Sequence, residues 1–383
     1  MHSKCDELRK HYGKRWDALV PCLQSKCPKV ALVNKYASCD QAAVSIESCL
    51  HVSGYDERHE SPEEINPANN SLPHVRNIIV RQVGSGEESA QDGYLQPLSF
   101  FTSRWTDEIL TGSEGQIPQP MPDSNGILPY FLIDMASLAP VLALNVLPTN
   151  DVLDMCAAPG GKMIAIAQLL TPMGSLTVNE ASKERCKRLN QAIQAYLSGS
   201  PLFEEKKIFL STRDATRWFA PNKYDRVLLH APCSAERHLF QMSHKESKKD
   251  ADRLWASSKT FTSTQISMLI QAIETVKISG RVVYSTSSLS PMENDFVVAK
   301  ALKRFSNQRD FELCLVSEPS QGNFTPPFPM LAEPTKFGWM YLPDKAARMS
   351  VGPVYLAVFE KKEKEAAEYS TDEEDEEEEE EIM

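Results

Sequence analysis

The sequence predicts an α/β fold in which a mostly parallel sheet carries helices on both faces. Two observations predict it. From residue 150 onward, short apolar runs alternate with longer runs of helical periodicity. In such an alternation each crossover returns the chain to the same edge of the sheet, so the strands lie parallel and both faces are covered. The chemically unusual residues also fall just beyond the apolar runs, where the carboxyl ends of parallel strands hold ligands.

Taken in order, residues 1 to about 50 read as helical. Leu8, Tyr12, Trp16, Leu19 and Leu23 recur at spacings of three and four, which is one helix face. Residues 51–126 are rich in Pro, Ser, Gly, Asn and acids, as in ESPEEINPANNSLP and GQIPQPMPDSNG. That composition predicts loop-rich chain with short strands such as 77–82. A helix fits 128–147, closed by Pro148. Strands are then expected at 152–155, 175–179, 207–211, 226–229 and 281–285. Helices fit 162–170, 183–197, 264–275 and 294–304. No internal repeat is evident.

The chain has 383 residues, 42 % of them apolar, enough for a substantial core. Its longest apolar stretch, 133–146, is interrupted by Asp134, Ser137, Pro140 and Asn145, so no membrane span is expected. The formal net charge of −11 at first argues against a nucleic-acid partner. Ten of those charges form one run, Asp372 to Glu381, and removing them leaves −1. Such a run repels itself and reads as a disordered, solvated tail; the sharper reading is an arm for basic ribosomal proteins or an RNA groove. The nine cysteines contain neither a CxxC pair nor a zinc spacing, which points to reduced thiols in an intracellular compartment and to no metal. Five fall before residue 50 and read as small buried hydrophobes. MHSKCDELRKHYGKRW has no apolar signal core, and Asp6 and Glu7 depart from a typical transit peptide.

The first strand of the α/β part runs into DMCAAPGGK, Asp154 to Lys162. Pro159, Gly160 and Gly161 make a tight turn with bare backbone, open to a ligand at the start of the next helix. Lys162 is followed by Met163, so this is not a phosphate-binding P-loop. Glu180, about twenty residues on, suits the hydroxyls of a ribose. Asp214 follows the third strand, placed to accept from an adenine amino group. Together these residues fit an adenosine-containing cofactor.

CAAPGGK, Glu180, Asp214, the APC of Ala231 to Cys233 and the YSTSSL of Tyr284 to Leu289 together resemble the Sun-domain RNA cytosine-5 methyltransferases. ALVNKYAS at Ala31, YFLIDMASLAPVLAL at Tyr130, YDRVLLHAPCSAERH at Tyr224 and FGWMYLPDKAARMSVGPVY at Phe337 are similar to one subgroup, the mitochondrial ribosomal-RNA methyltransferase that pairs with an mTERF-type helical-repeat protein. The resemblance implies a Rossmann-like class I methyltransferase fold with a seven-stranded sheet. It implies an N-terminal helical and loop-rich extension over 1–126, the S-adenosylmethionine-dependent domain over 127–362 and the acidic tail over 363–383. S-adenosylmethionine would be held by Cys156, Ala157, Ala158, Pro159, Gly160, Gly161, Lys162, Glu180 and Asp214. The implied partners are ribosomal RNA, an mTERF-like protein and ribosome assembly intermediates, in mitochondria.

Against that pattern two positions differ. Carbon-5 of cytosine becomes nucleophilic only after a thiolate adds to carbon-6, a task that suits cysteine with its ordinary pKa of about 8.5. The family places this cysteine in a Ser-Thr-Cys-Ser run; here the position is Ser287, whose hydroxyl needs a strong base beside it. The family has an aspartate before the Pro-Cys pair, holding the pyrimidine while charge builds; here it is His230. Loss of a nucleophile alone costs on the order of a million-fold in turnover, so a catalytically impaired homologue is expected, acting as a ribosomal-RNA-binding factor. The alternative is an active enzyme that uses Cys233, with His230 lowering its pKa. Lys183, Arg185, Lys187 and Arg188, and Lys245, Lys248 and Lys249, are candidate phosphate contacts. Trp218, Trp255 and Trp339 read as core residues or as surfaces on which bases stack.

Overall fold

The computed structural model describes residues 4–27, 29–37, 75–78, 98–101, 119–243, 248–345 and 350–364, with backbone alone at 75–78, 98–101, 243 and 248–260. The chain starts with α1 (Lys4–Tyr12), a 3₁₀ turn and α2 (Trp16–Gln24). Gly13, at φ +55°, breaks the predicted helical face into two. Leu8, Trp16, Leu19 and Leu23 are nevertheless all buried, as their spacing requires. Next comes a strand, β1 (Val30–Val33), within the region expected to be helical.

Two further short strands, β2 (Val75–Ile78) and β3 (Leu98–Phe101), fall in the loop-rich region; the first overlaps only the start of the expected 77–82 strand. The expected helix over 128–147 is corrected. Its first part is a strand, β4 (Tyr130–Ile133), and only Ala139–Leu144 forms an α-helix, α3. Tertiary pairing overrides helical periodicity here. β4 pairs antiparallel with β1 along its whole length, and the Asp134 carboxylate caps the following 3₁₀ turn by accepting from the Ala136 amide. The four strands form one antiparallel sheet in the order β2-β3-β1-β4.

The second sheet is built from the predicted units. They are β5 (Asp151–Asp154), α4 (Gly161–Ala167), β6 (Ser175–Asn179), α5 (Lys183–Leu197), α6 (Pro201–Glu204), β7 (Ile208–Ser211), β8 (Tyr224–His230), α7 (Glu236–Ser243), α8 (Lys248–Thr275), β9 (Val276–Thr286) and α9 (Asp295–Phe305). β10 (Glu312–Leu315), β11 (Ala332–Pro334), β12 (Trp339–Tyr341) and β13 (Val354–Lys362) complete it. Nine strands result rather than the seven expected, in the order β11-β12-β13-β9-β8-β5-β6-β7 with β10 on β13. The strands from β7 to β9 are mutually parallel, and β13 closes antiparallel on β9.

Alternate residues of the central strands enter different cores. Val152, Leu228 and Val283 pack with Met163, Ile166, Leu189 and Ile193 of α4 and α5. Leu153, Val227, Leu229 and Val282 pack with Leu269 and Ile273 of α8, Val298 of α9, and Trp16 and Leu19 of α2. The period of two in a strand therefore sorts each neighbour to the opposite face, and the N-terminal helices serve as part of one helical layer. No helix among the described residues is long and apolar enough to cross a membrane.

Arg237 locks the ends of the chain onto this frame. Its buried guanidinium donates to the carbonyls of Ser350 and Gly352 at 2.5 and 2.6 Å and to those of Cys22 and Ser25 at 3.2 Å. Arg237→Met strands these acceptors, and a buried group losing its partner costs 1–3 kcal/mol. We expect a loss of about 3 kcal/mol in stability, read as a lower urea midpoint with unchanged slope.

Candidate functional site

Because β5 to β9 run parallel, their carboxyl ends share one edge, and the chain reverses direction of winding between β5 and β8. Ligands bind at such a switch point because the loops diverge there. Three of these strand ends, those of β5, β6 and β7, are tied together by Asn179. Its amide nitrogen donates to the carbonyls of Met155 and Arg213, and its oxygen accepts from the Arg213 amide. The Glu180 amide donates to the Ser211 carbonyl, the Ala157 amide to the Asn179 carbonyl, and the Met155 amide to the Leu228 carbonyl.

The cradle follows β5. Gly160 sits at φ +119°, a conformation that side chains resist. A Cβ on Gly161 would come within 2.7 Å of the Phe131 ring, so the β4 strand presses directly on the turn. No side chain caps α4, which leaves the first-turn amides to a ligand. Beneath it Asp154 is 1 % exposed and neither carboxylate oxygen has a well-formed hydrogen bond. Burial pushes its pKa up to about 7, against the pull of the Lys162 ammonium and the nearby Cys156 amide, and with the Glu180 charge adding to the rise. Burial likewise lowers Lys162 to about 8, although Asp154, Asp134 and the Cys233 sulfur oppose the fall.

Glu180 is buried and accepts from the Ser182 amide at 2.9 Å. Arg185 lies 3.4 Å from its other oxygen and donates to the Ala158 carbonyl at 2.7 Å. Arg185 thus turns from the expected phosphate surface toward the cradle, while Lys183, Lys187 and Arg188 are exposed on α5. Its role was legible only through its distance of five residues from Glu180, too weak a signal alone. Asp214 is exposed, with Oδ1 accepting from the Thr216 amide and hydroxyl. Those two bonds lower its pKa.

On the other side of the switch point lie His230, Cys233 and Ser287. The His230 ring stands between two hydroxyls, with Nδ1 3.1 Å from Ser285 Oγ and Nε2 3.5 Å from Ser287 Oγ. Burial first, then the charges of Lys162 and Arg185, hold its pKa well below the usual range. The ring is neutral at pH 7, donating through one nitrogen and accepting through the other. Cys233 Sγ accepts from the Ser287 amide at 3.3 Å. His230 does not act on this thiol. Burial, with Glu236 and Glu293 nearby, raises it to about 12 against the partial help of the Ser287 and Ala235 amides. The expected lowering of Cys233 by His230 is therefore absent.

Lys245 lies outside the described residues, as do the side chains of Lys248, Lys249 and Trp255. Trp218 is buried in the core, and Trp339 donates from Nε1 to the Ser317 carbonyl. The seven described cysteines are unbridged, and Cys39 and Cys49 lie outside the described residues. No group of three or more ligating side chains gathers among the described residues.

A family model described as 16S rRNA methyltransferase RsmB/F matches residues 141–329. The chain is 29 % identical over 309 residues to the 5-cytosine rRNA methyltransferase NSUN4 of Bos taurus, covering 78 % of this chain and 72 % of that one. It is 30 % identical over 252 residues to a mitochondrial tRNA (cytosine(34)-C(5))-methyltransferase of Mus musculus, covering 66 % and 69 %. The chain belongs to the RNA cytosine-5 methyltransferase family. Of the Xenopus tropicalis NSUN4, 34 % identical, it spans 55 %. The structure of NSun6 from Pyrococcus horikoshii with SFG matches 94 % of this chain and 98 % of that one at TM-score 0.58 and 14 % identity, a likeness of fold. That fold is the Rossmann-like class I methyltransferase fold.

The family's methyl donor, S-adenosylmethionine, meets a cradle that fits it. Bare backbone at Gly160 and Gly161, uncapped amides on α4 and the unpartnered Asp154 carboxylate all await a polar ligand beside Glu180. Cys233 supplies a check on the site's electrostatics. A rise from 9 to about 12 cuts the thiolate fraction at pH 8 by about a thousandfold. Iodoacetamide should therefore label Cys233 far more slowly than a free thiol at pH 8, with the rate still climbing above pH 9, as followed by peptide mass spectrometry.

Proposed function

We propose that this chain is a catalytically impaired RNA cytosine-5 methyltransferase homologue that binds S-adenosylmethionine and ribosomal RNA and serves as a factor in mitochondrial ribosome assembly. The observation that carries the reading is the Ser287–His230 pair. An oxygen and a neutral imidazole, 3.5 Å apart, stand where the chemistry needs a thiolate and a carboxylate. When bound, the cofactor would supply an electrophilic methyl group. Ser287 offers no anion to add to carbon-6, because the His230 imidazole beside it is too weak a base to take its proton. His230 offers a single hydrogen bond to the pyrimidine and no negative charge.

The rRNA substrate named for the vertebrate relatives supports the choice of RNA. The word mitochondrial in the tRNA methyltransferase's name, together with the resemblance carried by residues 31–38 and 337–355, supports the compartment and an mTERF-like partner. Within this reading 1–126 is the extension and 127–362 the cofactor-binding domain, with RNA held by the exposed basic residues of α5 and by Lys245, Lys248 and Lys249. A second reading keeps the activity and makes Cys233 the nucleophile. Its proximity to the Ser287 amide favours it, while its raised pKa opposes it.

Calorimetry on the purified chain should show S-adenosylmethionine binding that weakens at least about tenfold in Glu180→Ala, since a ribose hydrogen-bonded to a carboxylate loses about 1.5–3 kcal/mol with it. With labelled cofactor and ribosomal RNA the same chain should form no 5-methylcytosine, whereas Ser287→Cys combined with His230→Asp should form it. Methylated cytosine made by the unaltered chain overturns the reading. If it disappears in Cys233→Ala, the second reading stands instead.

A further inference from the structure

The loop after β8, which carries Cys233, and the loop after β9, which carries Ser287, are cross-braced by two buried carboxylates. Glu236, 0 % exposed, reaches from the first loop to the second and accepts from the Leu289 amide at 2.9 Å and the Ser288 hydroxyl at 3.1 Å. Glu293, 1 % exposed, reaches back and accepts from the Ser234 amide at 3.0 Å and its hydroxyl at 2.7 Å. Glu236 also contacts the Ser234 hydroxyl. Gln265 of α8 ties the pair to the Pro232 carbonyl and to Glu293.

Two carboxylates gathered around one serine repel each other in a buried site. The charge that answers them comes from far away in sequence. Lys4, on α1, places its ammonium 2.6 Å from Glu293 and 3.3 Å from Glu236, with its side chain only 10 % exposed. Tyr12 of the same helix donates to the Leu289 carbonyl at 3.1 Å. We infer that Lys4 is a positioning residue of this site: its ammonium is the shared counter-charge that lets Glu236 and Glu293 hold the Cys233 and Ser287 loops together. The first helix is thereby part of the site's scaffold. The inference rests on the loops and not on the impaired chemistry proposed above. Its readout needs neither cofactor nor RNA, so the two fail separately.

The test is the rate of iodoacetamide labelling of Cys233 in the full chain at pH 8, with the buried Cys186 of α5 as internal reference. In Lys4→Met the two carboxylates lose their common partner, the loops part, and Cys233 should label at least about tenfold faster while Cys186 does not change. Lys4→Arg, which keeps the charge, should stay near the unaltered rate. In a Glu293→Gln background one of the two repelling charges is gone, so Lys4→Met should accelerate labelling several-fold less; this coupling distinguishes counter-charge from mere packing. If Lys4→Met alone fails to fold, the comparison of Glu293→Gln with and without Lys4→Met decides, a residual Cys233-specific acceleration being required. An unchanged Cys233 rate, or one that rises in step with Cys186, overturns the inference.

Discussion

Everything at this site depends on the parallel alignment of β5 to β9. Parallel strands put all their carboxyl ends on one edge, so residues separated by tens of positions meet without any long-range sequence signal. Lys162 acts on His230 and Cys233, and Arg185 acts on both Glu180 and His230. Asn179 then fixes the heights of the strand ends by giving its side chain to two neighbouring loops. The antiparallel sheet adds pressure from outside, with Phe131 of β4 closing on Gly161.

Desolvation is the dominant electrostatic force along this edge. It drives acids and bases in opposite directions, always toward the neutral form. Asp154 and Cys233 rise while Lys162 and His230 fall. A thiol nucleophile would have to be ionised against that trend, which takes a nearby positive charge or several donors. Lys162 is near enough to feel the Cys233 sulfur, but the charges that act most on Cys233 are two carboxylates, Glu236 and Glu293, which work the other way. The same surroundings are tolerant of a serine and a neutral histidine, whose hydrogen bonds carry no charge into a buried site. Ser287 and His230 therefore suit each other physically: Ser287 Oγ lies at one ring nitrogen of His230, and Ser285 Oγ at the other.

Much of the fold was legible because local rules and the final structure agree. The 175–179 strand and the 183–197 helix coincide with their expected bounds, since a short alternating run with Leu176 and Val178 and a serine-capped amphipathic run leave little choice. Elsewhere local preference lost. Tyr130 to Ile133 has a helix-compatible pattern, yet β1 offers a ladder of hydrogen bonds and Gly161 a surface for Phe131. β10 to β12 were missed because each is only three or four residues long and draws its order from pairing with neighbours, not from its own periodicity.

By itself the sequence determined the composition of the site. The glycine turn, Glu180, His230, Cys233 and Ser287 are set by residue type and by position just beyond the strands, and no folding event changes which atoms they carry. Tertiary structure alone decided their chemical state and their company. Burial made His230 neutral and Cys233 reluctant to ionise, Arg185 turned inward to Glu180, and Lys4 arrived between Glu236 and Glu293 from the far end of the chain. The reason is physical: identity is a property of a residue, whereas pKa and hydrogen bonding belong to the surroundings, and those surroundings exist only once distant segments pack together.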